Sequence, residues 1–201
     1  MTVDPALAIY AANAGTMARR FDSVATDSLL SGLIDLVPAP PAPVLHIGAG
    51  SGRDSAWFQS RGHTVTAAEP VAAFREMIAA RVPAVTVLDT ALPELSGLTG
   101  PYDLILVNAV WHHLDPNARD LALARLAALL APGGCLFLAL RRGRVPPGAP
   151  LHDLDPDTEI ARAASARLAL VRRHDAPAYD EDTAAAGISW TWLALCQGLQ
   201  T

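Results

Sequence analysis

The chain has no lysine. All 15 of its basic residues are arginine, set against 20 acidic ones for a formal net charge of −5 over 201 residues, and no basic cluster is dense enough to track a phosphate backbone. The nearest approaches, Arg141 to Arg144 and Arg172 with Arg173, flank a proline-rich loop or end a strand-like run and read as solvated edges. Nucleic acid is therefore not the expected partner; a small molecule is. Cysteine is scarce as well. Cys135 and Cys196 each sit inside an apolar run, where small buried side chains are expected rather than a disulfide or a metal ligand, and no metal is implied. Long apolar runs are also missing: the 51% hydrophobic share is scattered and rich in alanine, and no run approaches the roughly 18 uncharged residues of a membrane span. The N-terminus lacks the basic stretch and apolar run of a secretory leader, because Asp4 and Pro5 come first and Asn13 and Gly15 break the apolar residues after them. The expectation is a cytoplasmic protein with no membrane partner; its oligomeric state is not legible.

What is present is an alternation. The length suits one α/β domain. A strand at 44–47 precedes a helix near 54–60 closed by Gly62, a strand at 64–68, a helix at 71–80, and strands at 84–88 and 102–107. Asp115 and Pro116 offer an N-cap and a first helical residue, with Leu123, Leu126 and Leu130 on one face until Pro132 and Gly133. CLFLAL at 135–140 is a fifth strand, a second Asp-Pro cap at 155–156 opens a helix, and strands lie near 168–173 and 188–196. The last of these puts Trp190 and Trp192 on one face, expected to be packed. Such alternation implies a doubly wound, mostly parallel sheet with helices on both faces. Ahead of it, two short helices broken near Gly15 and the stiff PAPPAP linker make residues 1–43 a separate helical segment and possible lid, leaving 44–201 as the sheet domain.

The most specific stretch is VLHIGAGSGR at 44–53. Glycine lets the backbone leave a buried strand in conformations barred to other residues, and lets a ligand lie against bare peptide groups. Gly48, Ala49, Gly50 and Gly52, with Arg53 and Asp54 opening the next helix and its free amides, are the expected contacts. A dinucleotide fingerprint is G-x-G-x-x-G; its third glycine falls on Arg53, which disfavours NAD. Glu69 closes the second strand, where an acid can accept both ribose hydroxyls. Its place 21 residues after Gly48 supports a nucleoside without choosing which.

The glycine loop, Glu69, Asp89 within LDTALPEL, and LAPGG at 130–134 occur in the order of the class I S-adenosylmethionine-dependent methyltransferases, which this chain resembles from Val44 to Cys196. The resemblance implies a seven-stranded sheet of order 3-2-1-4-5-7-6 with an antiparallel last strand. It implies S-adenosylmethionine as cofactor, Glu69 on its ribose, Pro70 against its adenine, Asp89 with Thr90 at the adenine amino group, and Asn108 beside the methyl donor. Arg53 and Arg20 are placed for the methionyl carboxylate, with Tyr10 and Phe21 closing over it. His112 and His113 stand where a general base could act, since imidazole titrates near neutrality; loop histidines that hold the fold are the alternative. NAVW at 108–111 lacks both prolines of the amino-methylating relatives' Asn-Pro-Pro-aromatic motif, so DNA methylation is disfavoured. His46 replaces the family's usual acid two residues before the first glycine, and binding weakened toward acid pH is the expected result. Methyl transfer to a small molecule is the reading; a non-catalytic S-adenosylmethionine-binding protein and an NAD-dependent oxidoreductase are the rivals.

Overall fold

The computed structural model describes residues 5–146 and 148–198; Asp4, one of the residues that argue against a secretory leader, lies outside them. Seven strands form one sheet: β1 (Pro43–Ile47), β2 (Thr64–Ala68), β3 (Thr86–Leu88), β4 (Tyr102–Val107), β5 (Leu130–Arg142), β6 (Leu168–Ala176) and β7 (Ser189–Gln197). Their order is β3-β2-β1-β4-β5-β7-β6. β7 runs antiparallel to both its neighbours and the remaining pairs are parallel, as the resemblance implied. β1 and β4 are near-continuous apolar runs because helices cover both their faces. Period-two alternation splits these residues between two cores. Leu45, Ile47, Ile105 and Val107 pack with Leu123 and Leu126 of α6 (Pro116–Leu129) and Ala163 of α7 (Pro156–Ser165). Val44, Leu104 and Leu106 pack with Phe58 of α4 (Arg53–Ser60) and Ile78 of α5 (Ala72–Arg81).

Local signals place the helix starts. The Asp115 carboxylate accepts from Ala118 N at 2.9 Å and that of Asp155 from Thr158 N at 2.9 Å, each satisfying an amide the first turn leaves unpaired. Other boundaries differ from the sequence reading. α6 ends at Leu129 and the chain extends at once, Leu130 pairing with Tyr102 before a register shift brings Cys135 opposite Leu104. Pro132 and Gly133 therefore lie in an irregular strand start instead of stopping the helix. β3 is shorter than expected because Val85 N turns back to Val82 O.

The leading segment has two parts. α1 (Pro5–Ala12) and α2 (Ala14–Asp22) break at Asn13, with Gly15 inside α2. Ala14 and Ala18 of α2 pack on Val71 and Phe74 at one end of the sheet. α3 (Thr26–Leu29) and the 3-10 turn Ile34–Leu36 come next, and Leu29, Leu30 and Leu33 are buried in the sheet's own core.

The cysteines correct the sequence reading. Cys135 and Cys196 are register partners on β5 and β7 and form a disulfide, with Cα atoms 4.0 Å apart. A separation of 61 residues hides this pairing from any local pattern. Trp192 is buried on the packed face as expected, its indole N–H donating to the Tyr179 hydroxyl at 2.7 Å; Trp190 is half-buried. α8 (Glu181–Ala185) is a short helix held by a capping box at Asp180.

Candidate functional site

The strand order reverses between β1 and β4, and a cleft of about 1100 Å3, its mouth included, opens at their carboxyl ends, where open α/β sheets bind ligands. The glycine loop is its floor. Gly48 has φ +65°, and a Cβ there would lie 2.3 Å from Cγ2 of Val110, so only glycine lets the loop and the chain beyond β4 approach so closely. Gly52, φ +81°, is the left-handed N-cap of α4. From α1, Ala6, Leu7 and Tyr10 line the cleft; Phe21 of α2 lines it too, packed on Phe74 with ring centroids 5.9 Å apart.

Glu69 is buried and lines the cleft. One carboxylate oxygen accepts Gly50 N at 2.8 Å, the other Val71 N at 2.8 Å. Each keeps a lone pair, so the pair of oxygens suits a vicinal diol. Burial raises its pKa, the Val71 and Gly50 N–H groups and the Arg75 charge oppose that, and Asp89 adds to the rise. Pro70 lines the cleft beside it. Arg75, which the sequence reading missed, clamps this corner by donating to the carbonyls of Glu69 at 3.0 Å and Pro70 at 2.7 Å. It also pairs with the Asp89 carboxylate at 2.9 Å, and neither Asp89 nor Thr90 is among the lining residues.

A second buried carboxylate, Asp54, lines the cleft at the first turn of α4. Arg53 donates to both of its oxygens at 2.7 and 2.8 Å, Thr26 of α3 to one at 2.7 Å, and Asn108 to the other at 3.1 Å. Burial alone would raise its pKa, but the Arg53 bonds and charge, then His46 and Thr26, hold it down at about 2. Arg53 also donates to the Phe21 carbonyl. Three of its five N–H groups are thus committed, and its main task is to neutralise Asp54. Arg20 is not in the lining; it turns outward to an ion pair with Asp180 at 3.4 Å.

His46 revises the expectation of weakened binding in mild acid. Its Nδ1 meets Ser55 Oγ at 2.9 Å and its Nε2 lies 3.8 Å from Asp54. Burial drives its pKa down to about 4, with the Asp54 charge opposing and that of Arg53 reinforcing, so it is neutral in mild acid and an acid stands beside it already. A histidine whose folded pKa lies below its ordinary 6.5 takes up its proton first in the unfolded chain. Stability is thus full above about pH 6.5 and declines by roughly 3 kcal/mol as pH falls toward 4. His112, depressed first by burial and then by the charges of His113, Arg141 and Arg119, adds to the same slope. His46→Asn is expected to flatten it in urea melts between pH 4 and 7; an unchanged slope would assign the loss elsewhere. His46→Asp sets a second carboxylate beside Asp54 and is expected to destabilise the fold.

The two adjacent histidines separate. They sit in the 3-10 turn Trp111–His113 that comes after β4. His112 is buried and outside the lining; His113 lines the cleft, with Nε2 3.2 Å from the Tyr10 hydroxyl and Nδ1 3.3 Å from the Pro150 carbonyl. Behind the turn, Trp111 donates its indole N–H at 2.8 Å to Glu159 of α7, which pairs with Arg119 of α6 at 3.1 Å, both buried. Neither partner carried a sequence signal, since each reads as an ordinary helix charge.

Comparison with known proteins agrees with this geometry. Residues 44–134, from β1 into the start of β5, match the methyltransferase domain family. An uncharacterised methyltransferase of Oceanobacillus iheyensis is 31% identical over 108 residues, 54% of this chain and 49% of that protein. One of Mycobacterium bovis is 34% identical over 103 residues, 51% and 41% respectively. The chain thus spans about half the length of these relatives. In fold it is similar to the Burkholderia thailandensis 1,6-didemethyltoxoflavin-N1-methyltransferase, with TM-score 0.75 and 21% identity over 96% of this chain and 87% of that one. Its glycine loop, its strand order and the family match over 44–134 make the chain similar to the class I methyltransferases.

Proposed function

We propose that this chain transfers a methyl group from S-adenosylmethionine to a small-molecule acceptor. The observation that carries the reading is a pair of buried carboxylates, Glu69 and Asp54, lining one cleft around the glycine loop. Glu69 would accept the ribose hydroxyls, and Pro70 beside it offers apolar surface to the adenine. Asp54, whose oxygens are already taken by Arg53, Thr26 and Asn108, would hold the start of α4 in place beside the amino-acid portion. The Asp54–Arg53 ion pair also stands where a dinucleotide would bring its pyrophosphate and offers it no uncommitted positive charge. Bound there, S-adenosylmethionine supplies an electrophilic methyl on a sulfonium. The protein's part is orientation and exclusion of water, which contribute most of the rate in such transfers. The B. thailandensis structure, which holds S-adenosylhomocysteine and 1,6-didemethyltoxoflavin, supports the reading.

The test is a calorimetric titration of the purified chain with S-adenosylhomocysteine and with NAD. S-adenosylhomocysteine is expected to bind at least about tenfold more tightly, the scale of one charge-assisted hydrogen bond won or lost. Equal or tighter NAD binding overturns the proposal.

A further inference from the structure

Tyr10 and His113 meet inside the cleft from α1 and from the turn after β4, their rings edge to face with centroids 5.6 Å apart. Their hydrogen bonds fix the tautomer. The Pro150 carbonyl near Nδ1 can only accept, so Nδ1 carries a hydrogen, and a ring holding only that one presents its lone pair at Nε2. The Tyr10 hydroxyl, 3.2 Å away, donates to that lone pair. Tyr10 stays a phenol, since burial and then the Glu69 charge raise its pKa, with Arg20 opposing. The segment that supplies Pro150 also pins the neighbouring residue, His152 N donating to the His112 carbonyl at 2.8 Å. The cleft-lining residues near this pair in the chain are apolar: Ala6 and Leu7 before Tyr10, Val110 and Leu114 around the turn. The charged lining residues, Arg53, Asp54 and Glu69, belong to the first turn of α4 and to the residue after β2.

We infer that the acceptor is a neutral, mostly apolar molecule bearing a hydroxyl or ring N–H, that His113 Nε2 receives this X–H, and that the Tyr10 hydroxyl yields the same place to it. The inference rests on the methyl-transfer reading. In the step it describes, the heteroatom's electron pair forms the bond to the methyl carbon and the carbon–sulfur pair stays on sulfur. The X–H proton passes to Nε2, and the imidazolium keeps its Nδ1–H on Pro150 until it releases the proton to water. An acceptor without an X–H has no use for this pair. Neither a carboxylate nor a quaternary ammonium brings an X–H to Nε2.

Three matched probes test it: 2-naphthol, 2-naphthoate and trimethyl(2-naphthyl)ammonium, each titrated calorimetrically into the full chain saturated with S-adenosylhomocysteine. 2-Naphthol is expected to bind, and the charged pair to bind about tenfold more weakly or not at all. His113→Ala is expected to weaken 2-naphthol binding about tenfold while the thermal upshift given by S-adenosylhomocysteine persists. Tyr10→Phe, which removes the internal competitor, is expected to tighten it about threefold and decides the matter if His113→Ala fails to fold. Absence of 2-naphthol binding, equal binding of either charged probe, insensitivity to His113→Ala, or unchanged or weaker binding in Tyr10→Phe overturns the inference. Failure of S-adenosylhomocysteine itself to bind overturns the methyl-transfer reading instead.

Discussion

Glu159→Ala is expected to lower the stability of the fold by about 3–5 kcal/mol, the loss seen when one partner of a buried ion pair is removed. Glu159 and Arg119 are 2% and 4% exposed. Without the carboxylate the Arg119 guanidinium stays buried, and its Nε and Nη2 already lack a protein hydrogen-bond partner. Trp111 loses the acceptor of its indole N–H in the same stroke. A double variant, Glu159→Leu with Arg119→Met, is expected to recover most of the loss, because no buried charge is then left uncompensated. Urea unfolding of Glu159→Leu, Arg119→Met and the double variant closes the cycle; a loss below about 1 kcal/mol in Glu159→Ala would show that the arginine finds another partner. The pair therefore secures the packing of α6 and α7 behind the turn that carries His113.

Glu69→Gln is expected to weaken S-adenosylhomocysteine binding by about 2–4 kcal/mol, on the order of 100-fold, the scale of lost hydrogen bonds to a charged acceptor plus one buried donor left unpaired. The isosteric amide keeps the volume but turns one acceptor oxygen into a donor. That NH2 must face either Gly50 N or Val71 N, both of which donate to the carboxylate at 2.8 Å. The loop is thus disturbed as well as the ribose contact. Thermal melts without ligand separate the two effects: a small drop in melting temperature with a large loss of affinity assigns Glu69 to the ligand. An affinity within about threefold of the parent chain removes Glu69 from the site.

The sequence by itself determined most of the elements and put the glycine loop and Glu69 at the strand ends that border the cleft. Apolar runs such as Val44–Ile47 and Leu104–Val107, the Asp-Pro caps at 115 and 155, and the alternation of strand with helix are local signals. Each concerns residues within a few positions of one another, and the hydrogen bonds and burial they predict are local too. The glycine loop and Glu69 were legible for the same reason, since strand ends fix where their side chains and amides lie. Which partner each polar group takes was decided only by tertiary structure. Asp54 is ionised because Arg53, Thr26 and Asn108 converge on it. His46 is neutral because the sheet buries it. Arg20 and Asp89, both plausible ligand contacts by position, are drawn to Asp180 and Arg75. Cys135 meets Cys196 across a register set by the β5–β7 pairing, 61 residues apart. A charge or a thiol takes its state from neighbours within a few ångströms, and in a doubly wound sheet those neighbours arrive from distant strands and helices, so the chain's order alone does not name them.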